Sequence, residues 1–299
     1  MTEEFLKYFE LELNRSSLTI DAYRRDLHEM AEHLGLQDDL SDASTVSTTD
    51  LRAWIAEMAQ AELSARSLRR KTQAARAFFR WMQKQHLIDV NPAAEIKLAK
   101  TGRKLPEYIK EQEMEDILSR DSWQDDDILE FRNHLILNIL YSCGIRRDEL
   151  VKITDADINI YSKEMRVHGK RDKTRVIPLA DELLTEIQKW QQIRDSHYAF
   201  SPPAPLICSQ RGALTGESVY RIVHKMLAGT GATHKSPHSL RHTFATSLLN
   251  GGAEINSVKE LLGHASLQST QIYTHLTFND IQKIYNTSHP RAKKGKDSK

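Results

Sequence analysis

Residues 237–273 read PHSLRHTFATSLLNGGAEINSVKELLGHASLQSTQIY. Apolar residues recur at helical spacing over Ser239 to Asn250 and over Ile255 to Leu262, with Gly251-Gly252 between the two runs and Gly263 stopping the second. Polar side chains able to do chemistry stand at the ends of these runs. His238 and Arg241 share one helical turn, His264 follows Gly263 directly, and Tyr273 lies nine residues beyond His264. The stretch therefore predicts a helical framework that presents its reactive groups at turns and helix starts.

Outward from this stretch the pattern stays helical except in one place. Helices are expected near Glu111 to Ser119, Asp127 to Tyr141, Asp181 to Arg194, Glu217 to Leu227 and Asn279 to Tyr285. Asp157 to Val167 and Thr174 to Leu179 read as short strands flanking a polar Gly-Lys-Arg-Asp turn, which implies a small antiparallel sheet. Two more candidates lie in this half: Arg146 in YSCGIRRDEL and Lys170 in VHGKRDKTRVIPL.

The first 95 or so residues read as helices only. Thr2 is expected to cap a segment through Leu13, Thr19 a second ending at Gly35, Thr48 or Thr49 a third, and Ser64 a long fourth, together a small bundle. From Ser64 to Lys84 there are seven basic residues (Arg66, Arg69, Arg70, Lys71, Arg76, Arg80, Lys84) and no acidic one. Leu68, Ala75, Phe79 and Met82 form one stripe of this segment, and Arg69, Arg70, Gln73, Arg76, Arg80 and Lys84 supply a polar face suited either to DNA phosphates or simply to solvent. Asn91-Pro92 is expected to end the helix, and the weakly periodic stretch after it to link two domains. The expected organisation is a helical domain at 1–95, a linker at 96–106 and a second domain at 107–299. The fold class is mostly α with a small antiparallel sheet, the second domain being α+β.

Composition narrows the function classes. The chain has 299 residues, 39% hydrophobic and 28% charged, enough for two ordinary cores. No apolar run approaches the roughly 18 residues of a membrane span, and the acidic, amphipathic start MTEEFLKYFE lacks the layout of a secretory signal. Two cysteines, Cys143 and Cys208, make neither a disulfide framework nor a Cys-rich metal site, and a cytoplasmic location is expected. Net charge is +1, so a nucleic-acid partner would have to be recognised by local clusters: the basic helix and the closing RAKKGKDSK.

Singly, each candidate has an ordinary explanation: a surface arginine, a hairpin lysine, a capping histidine, a tyrosine in an amphipathic helix. In order, Arg146, Lys170, His238-x-x-Arg241, His264 and Tyr273 resemble the active site of the tyrosine site-specific recombinase (phage integrase) family. The resemblance runs from LPEYIKEQEMEDIL to the chain end, with the first 95 residues similar to the family's core-binding domain. By length, by LLGHASLQSTQIYTH and by YNTSHPRAKK it is nearest to the Xer group. Arg147 departs from the pattern, because a small or polar residue more usually follows the first arginine.

The chemistry accounts for these residue types. Moving a DNA phosphodiester onto an enzyme hydroxyl needs a nucleophile, charge stabilisation for a pentavalent transition state, and an acid for the leaving oxygen. Tyr273 offers the hydroxyl, Arg146 and Arg241 can fork onto non-bridging oxygens, and His238 and His264 can donate or shuttle a proton. The resemblance makes Lys170 the general acid for the 5′ hydroxyl and implies a 3′-phosphotyrosyl intermediate, a Holliday junction, and no cofactor or metal. It also implies a double-stranded recombination site, a homo- or hetero-tetramer on DNA and an FtsK-like DNA translocase as regulator, in resolving chromosome dimers or in moving a mobile element.

Three rivals are weighed beside it. His238 and His242 stand four apart as in HExxH zinc sites, but Ser239 occupies the glutamate position. A non-catalytic helix-turn-helix regulator leaves Arg146, Lys170 and Tyr273 unexplained. A type IB topoisomerase shares the phosphotyrosine chemistry without needing a specific site. Finally, Ile281, Ile284 and Tyr285 predict a short amphipathic helix before Pro290, expected to bury its face on a neighbouring subunit, the alternative being its own domain.

Overall fold

The computed structural model describes residues 1–13, 15, 17–97, 108–118, 127–169, 174–263 and 278–293. The chain divides into two compact units, Met1–Lys104 and Leu105–Lys299. The first holds four α-helices among its described residues: α1 (Thr2–Leu11), α2 (Ser17–Leu34), α3 (Thr48–Gln60) and α4 (Ala65–Lys84). Its core is aromatic at the centre, where Phe5 meets Phe78 edge-on at 5.4 Å between ring centroids and both are fully buried. Most polar positions between these apolar ones stay at least partly exposed, with Asp26, Lys71 and Thr72 as buried exceptions, so a helical period in the sequence suffices to define the bundle.

Several helix ends differ from the expectation. Met1, not Thr2, occupies the cap of α1, which stops at Leu11 rather than Leu13. Helix α2 starts at Ser17, ahead of Thr19. Ser47 caps α3 through a reciprocal box with Asp50, so the flanking Thr48 and Thr49 are already helical. Ser64 does cap α4, its hydroxyl accepting from the Ser67 N–H at 3.1 Å. That helix ends at Lys84, well before Asn91-Pro92, because His86 turns left-handed (φ 58°) and Leu87 N–H closes onto the Met82 carbonyl at 3.0 Å. The expected linker begins within the folded unit, since Ile96 belongs to the first core, and residues 98–107 lie outside the described set.

The second unit is built around α6 (Ile128–Cys143), buried along nearly its whole length. It follows α5 (Glu111–Leu118) and precedes the single turn α7 (Arg147–Leu150). The sheet β1 (Ile158–Asn159), β2 (Glu164–His168), β3 (Thr174–Pro178) is antiparallel in that order, with Met165 opposite Ile177 and Val167 opposite Arg175. The run Asp157 to Val167 is thus two strands, not one. Asn159 folds its side chain onto the N–H groups of Tyr161 and Ser162, and Lys163 sits at φ 53°, which turns the chain back.

Helix α8 (Asp181–His197) and α10 (Pro237–Asn250) pack on α6, as does α9 (Gly216–Met226), while α11 (Ile255–Leu262) packs on α10. A two-residue pair, β4 (Cys208–Ser209) with β5 (Gly212–Ala213), escaped the sequence reading because segments this short carry no period. Helix α10 begins at Pro237, earlier than Ser239, with Ser236 as its cap. Among the described helices none is long and apolar enough to cross a membrane.

The segment expected to seek a neighbouring subunit is docked on its own unit in the single chain. Helix α12 (Phe278–Ser288) and the turn α13 (Pro290–Lys293) bring Tyr285 into a cluster with Phe244, Leu248, Val258, Leu261 and Leu262. His289, fully buried, stacks on Tyr285 at 5.3 Å and touches Phe244 and Tyr141. Arg291 reaches Glu186 on α8 at 3.5 Å. Ile284 is half-buried, and the side chain of Ile281 lies outside the described set. An apolar face needs only a groove, and the one between α10 and α11 is nearest in the chain.

Candidate active site

Two arginines from distant segments converge at the end of α6. That helix closes on Gly144, held left-handed at φ 59° and so close to Phe244 that a Cβ would sit 2.2 Å from its ring, so only glycine fits. The freed Gly144 carbonyl accepts from Arg241 Nη1 at 2.6 Å, and Arg241 Nη2 donates to the Leu262 carbonyl at 2.5 Å. Arg241 is therefore clamped between the ends of α6 and α11 and only 6% exposed. Burial, with the nearby charges of Arg146 and Arg175, lowers its pKa to about 10, which still leaves it cationic near neutrality.

Arg146, two residues past Gly144, is the cap residue of α7 and lies 38% exposed. Glu149 holds it twice, accepting from the Arg146 backbone N–H at 2.8 Å and from Nη1 at 2.8 Å. The same carboxylate accepts a fork from Arg175 of β3, at 3.0 and 2.7 Å. Burial alone would push the Glu149 carboxyl up, but these charged donors outweigh it and hold it at about 2, so it is ionised at any working pH. Two guanidinium groups on one carboxylate, with the Arg241 charge nearby, leave a net positive site, suited to a phosphate.

His238 stands exposed on the first turn of α10, three residues before Arg241, while His242 is half-buried behind it. Among the described residues no group of three His, Cys, Asp or Glu side chains converges as a metal site would require. Lys170, His264 and Tyr273 lie outside the described residues; the flanks of their segments, Gly169, Thr174, Gly263 and Phe278, are within. Sequence reasoning missed Glu149 and Arg175. The acidic residue three after Arg146 was a visible capping signal, whereas nothing local marked Arg175.

In the first unit the basic stretch is divided. Arg80 and Gln73 are exposed, and Lys84, also exposed, donates to the Tyr8 hydroxyl at 3.2 Å. Arg76 is half-buried and bonds the Ala94 carbonyl; Arg69 is half-buried. Arg70 pairs with the buried Asp26 at 2.5 Å, and Lys71 is itself buried against Asp26 and Glu29. Lys71 therefore belongs to the interior and only part of the stripe faces solvent.

The helix, Gly-Gly, helix element is covered: Gly251 abuts the backbone of Ser288, and Leu240, Arg241, Thr243, Phe244 and Leu248 of α10 are buried. That burial takes the apolar face of the element into the unit, while Ile255 and Lys259 of α11 stay exposed.

Known proteins are similar to the chain along nearly its whole length. Residues 107–280 match the model of the phage integrase family, and residues 2–86 match that of the phage integrase N-terminal SAM-like domain. The chain is 36% identical to "Tyrosine recombinase XerC" of Corynebacterium glutamicum, over 98% of this chain and 92% of that protein. It is likewise 36% identical to the protein of that name from Yersinia pestis, over 98% and 96%. In fold it is similar to the XerH site-specific recombinase bound to a palindromic difH substrate, with a TM-score of 0.70 and 22% identity over all of this chain and 84% of that one. Matched by both domain models and by relatives along its length, the chain belongs to the phage integrase family, the tyrosine recombinases that cut and rejoin DNA.

Proposed function

We propose that the protein is a Xer-type site-specific recombinase that cuts a double-stranded DNA site with Tyr273 and rejoins it through a Holliday junction. The observation that carries this reading is the pairing of a buried, fixed Arg241 with a half-exposed Arg146 around Gly144, in a chain 36% identical throughout to XerC recombinases. Such a pair can bind both non-bridging oxygens of one phosphodiester and stabilise the charge that builds in the transition state.

In the step that follows, the Tyr273 hydroxyl oxygen attacks phosphorus and the bond to the 5′ oxygen breaks. The tyrosine proton passes to His238 or His264, and the departing 5′ oxygen takes a proton from Lys170. The 3′-phosphotyrosyl bond keeps the energy of the broken linkage, so a 5′ hydroxyl from the partner strand reverses the step without ATP. Arg69, Arg70, Gln73, Arg76, Arg80 and Lys84 would serve DNA affinity, within a DNA-binding domain at 1–95 joined by a linker to the catalytic domain at 107–299. The assembly would be a tetramer of recombinase subunits in the cytoplasm, acting in chromosome-dimer resolution under an FtsK-like translocase. The exposed basic face of α4 and the similarity to XerC proteins support these finer assignments.

The test is covalent trapping on a nicked suicide duplex carrying the chromosomal site. The wild type should form a denaturant-resistant protein–DNA adduct, and Tyr273→Phe should bind the duplex yet form none. An adduct from Tyr273→Phe would remove Tyr273 as nucleophile, and no adduct from the wild type would remove the enzymatic reading.

A further inference from the structure

Arg175, on β3 opposite Val167, is 14% exposed and spends its guanidinium on two other elements of the unit. Nη1 and Nη2 fork onto the two oxygens of Glu149 at 3.0 and 2.7 Å, and Nε donates to the Leu261 carbonyl at the end of α11 at 2.9 Å. Its stem fills the space beside Gly263, where a Cβ would lie 3.2 Å from Arg175 Cδ. One side chain thus ties β3, the turn α7 and the end of α11 together. Its placement points away from a direct phosphate role, because each of its three guanidinium nitrogens is already engaged with protein.

We propose that Arg175 is a positioning residue for phosphoryl transfer: it neutralises and orients Glu149, so that Glu149 steers Arg146 without cancelling its charge. Glu149 is 5% exposed and ionised, so it must be balanced by a cation in bonding distance. With Arg175 present, the Arg146 guanidinium gives Glu149 only Nη1, beside the backbone N–H, and the side chain stays 38% exposed. Without Arg175, Arg146 is the sole cation bonded to Glu149 among the described residues, and the two close into a neutral pair. The phosphate then meets one arginine, Arg241, in place of two. A lysine at 175 restores the charge but cannot make two parallel bonds to the carboxylate and a third to Leu261.

The inference rests on Arg146 as a phosphate-binding group. The experiment compares single-turnover cleavage of two nicked suicide duplexes, one with the ordinary phosphodiester and one with a methylphosphonate, in which a neutral methyl replaces a charged non-bridging oxygen. It uses the full-length wild type, Arg175→Ala, Arg175→Lys, Arg146→Ala and the double alanine variant. Arg175→Ala should slow cleavage of the diester by about 100-fold, the effect of losing one transition-state donor. On the methylphosphonate the loss should be about tenfold or less, because less charge needs balancing, and Arg175→Ala should add nothing to Arg146→Ala. Equal losses on both substrates, or losses that multiply in the double variant, overturn the proposal in favour of a merely structural role. Should Arg175→Ala fail to fold, Arg175→Lys carries the same comparison, with an intermediate loss on the diester. If Arg146→Ala cleaves the diester like the wild type, the phosphate role of Arg146 fails; if it is inactive while the Arg175 variants cleave normally, only the present inference fails.

Discussion

Gly251, just past the end of α10, lies so close to Ser288 of α12 that a Cβ on it would sit 2.3 Å from the Ser288 carbonyl oxygen and 2.8 Å from its Cα. The contact is backbone against backbone, so no rotamer change can relieve an added methyl. Gly251→Ala is expected to loosen the docked C-terminal segment at a cost of about 1–3 kcal/mol. Hydrogen exchange should quicken across 278–288 while α1 to α4 keep their protection. Unchanged exchange in α12 would mean that this contact does not hold the segment.

The same segment should respond to pH. Burial pushes the His289 imidazole down to about 3 from an ordinary 6.5, the Arg291 charge adding to the effect and the Tyr141 backbone opposing it. The ring is neutral when docked and takes a proton only when released. Docking is therefore undiminished above about pH 6.5 and weakens progressively as pH falls from there toward 3. His289→Phe should remove this dependence, read as proteolytic susceptibility of α12 and α13 against pH. An equal pH response in the two proteins would assign it to another group.

Arg76 and Arg80 are expected to act in DNA affinity and not in chemistry. Changing both to alanine should lower the slope of log affinity against log salt by about 0.9 for each phosphate no longer neutralised, with the cleavage rate of bound complex unchanged. Arg80 should dominate, since it is exposed whereas Arg76 is half-buried against the Ala94 carbonyl. Gel shifts at four or five salt concentrations measure it, and an unaltered slope would make this face an ordinary solvated surface.

Cleavage should persist in excess EDTA, because the guanidinium groups of Arg146 and Arg241 supply the electrostatic stabilisation that a metal would otherwise provide. Suicide-substrate trapping with and without chelator decides it. Activity lost in EDTA and restored by zinc would return attention to His238 and His242.

How far the sequence reads depends on how far apart the interacting residues are. The bundle of α1 to α4 and the helices of the second unit longer than a single turn were legible because their apolar residues repeat within a few positions, and Ser64 and Gly263 punctuate them locally. Ends were less legible: Ser47 competes with Thr48 and Thr49 for one cap, and only the position of Asp50 decides between them. The strand pair at Cys208 and Ala213 was invisible, being too short for any period.

The order Arg146, Lys170, His238, Arg241, His264, Tyr273 needed no coordinates, because it is a property of the chain itself, and with it came the reaction class. What the sequence alone could not decide is which charges meet. Arg241 finds the Gly144 carbonyl 97 positions away, Arg175 finds Glu149 across 26, exposed Arg70 pairs with Asp26, and Lys71 leaves the expected basic face for acidic residues of α2. Nor could it decide where Tyr285 and His289 are buried, since an amphipathic helix specifies that it needs a groove and not whose. Periodicity and turn sterics act between neighbours and are written in the sequence directly. Ion pairing and helix docking depend on distances that exist only once the chain has folded.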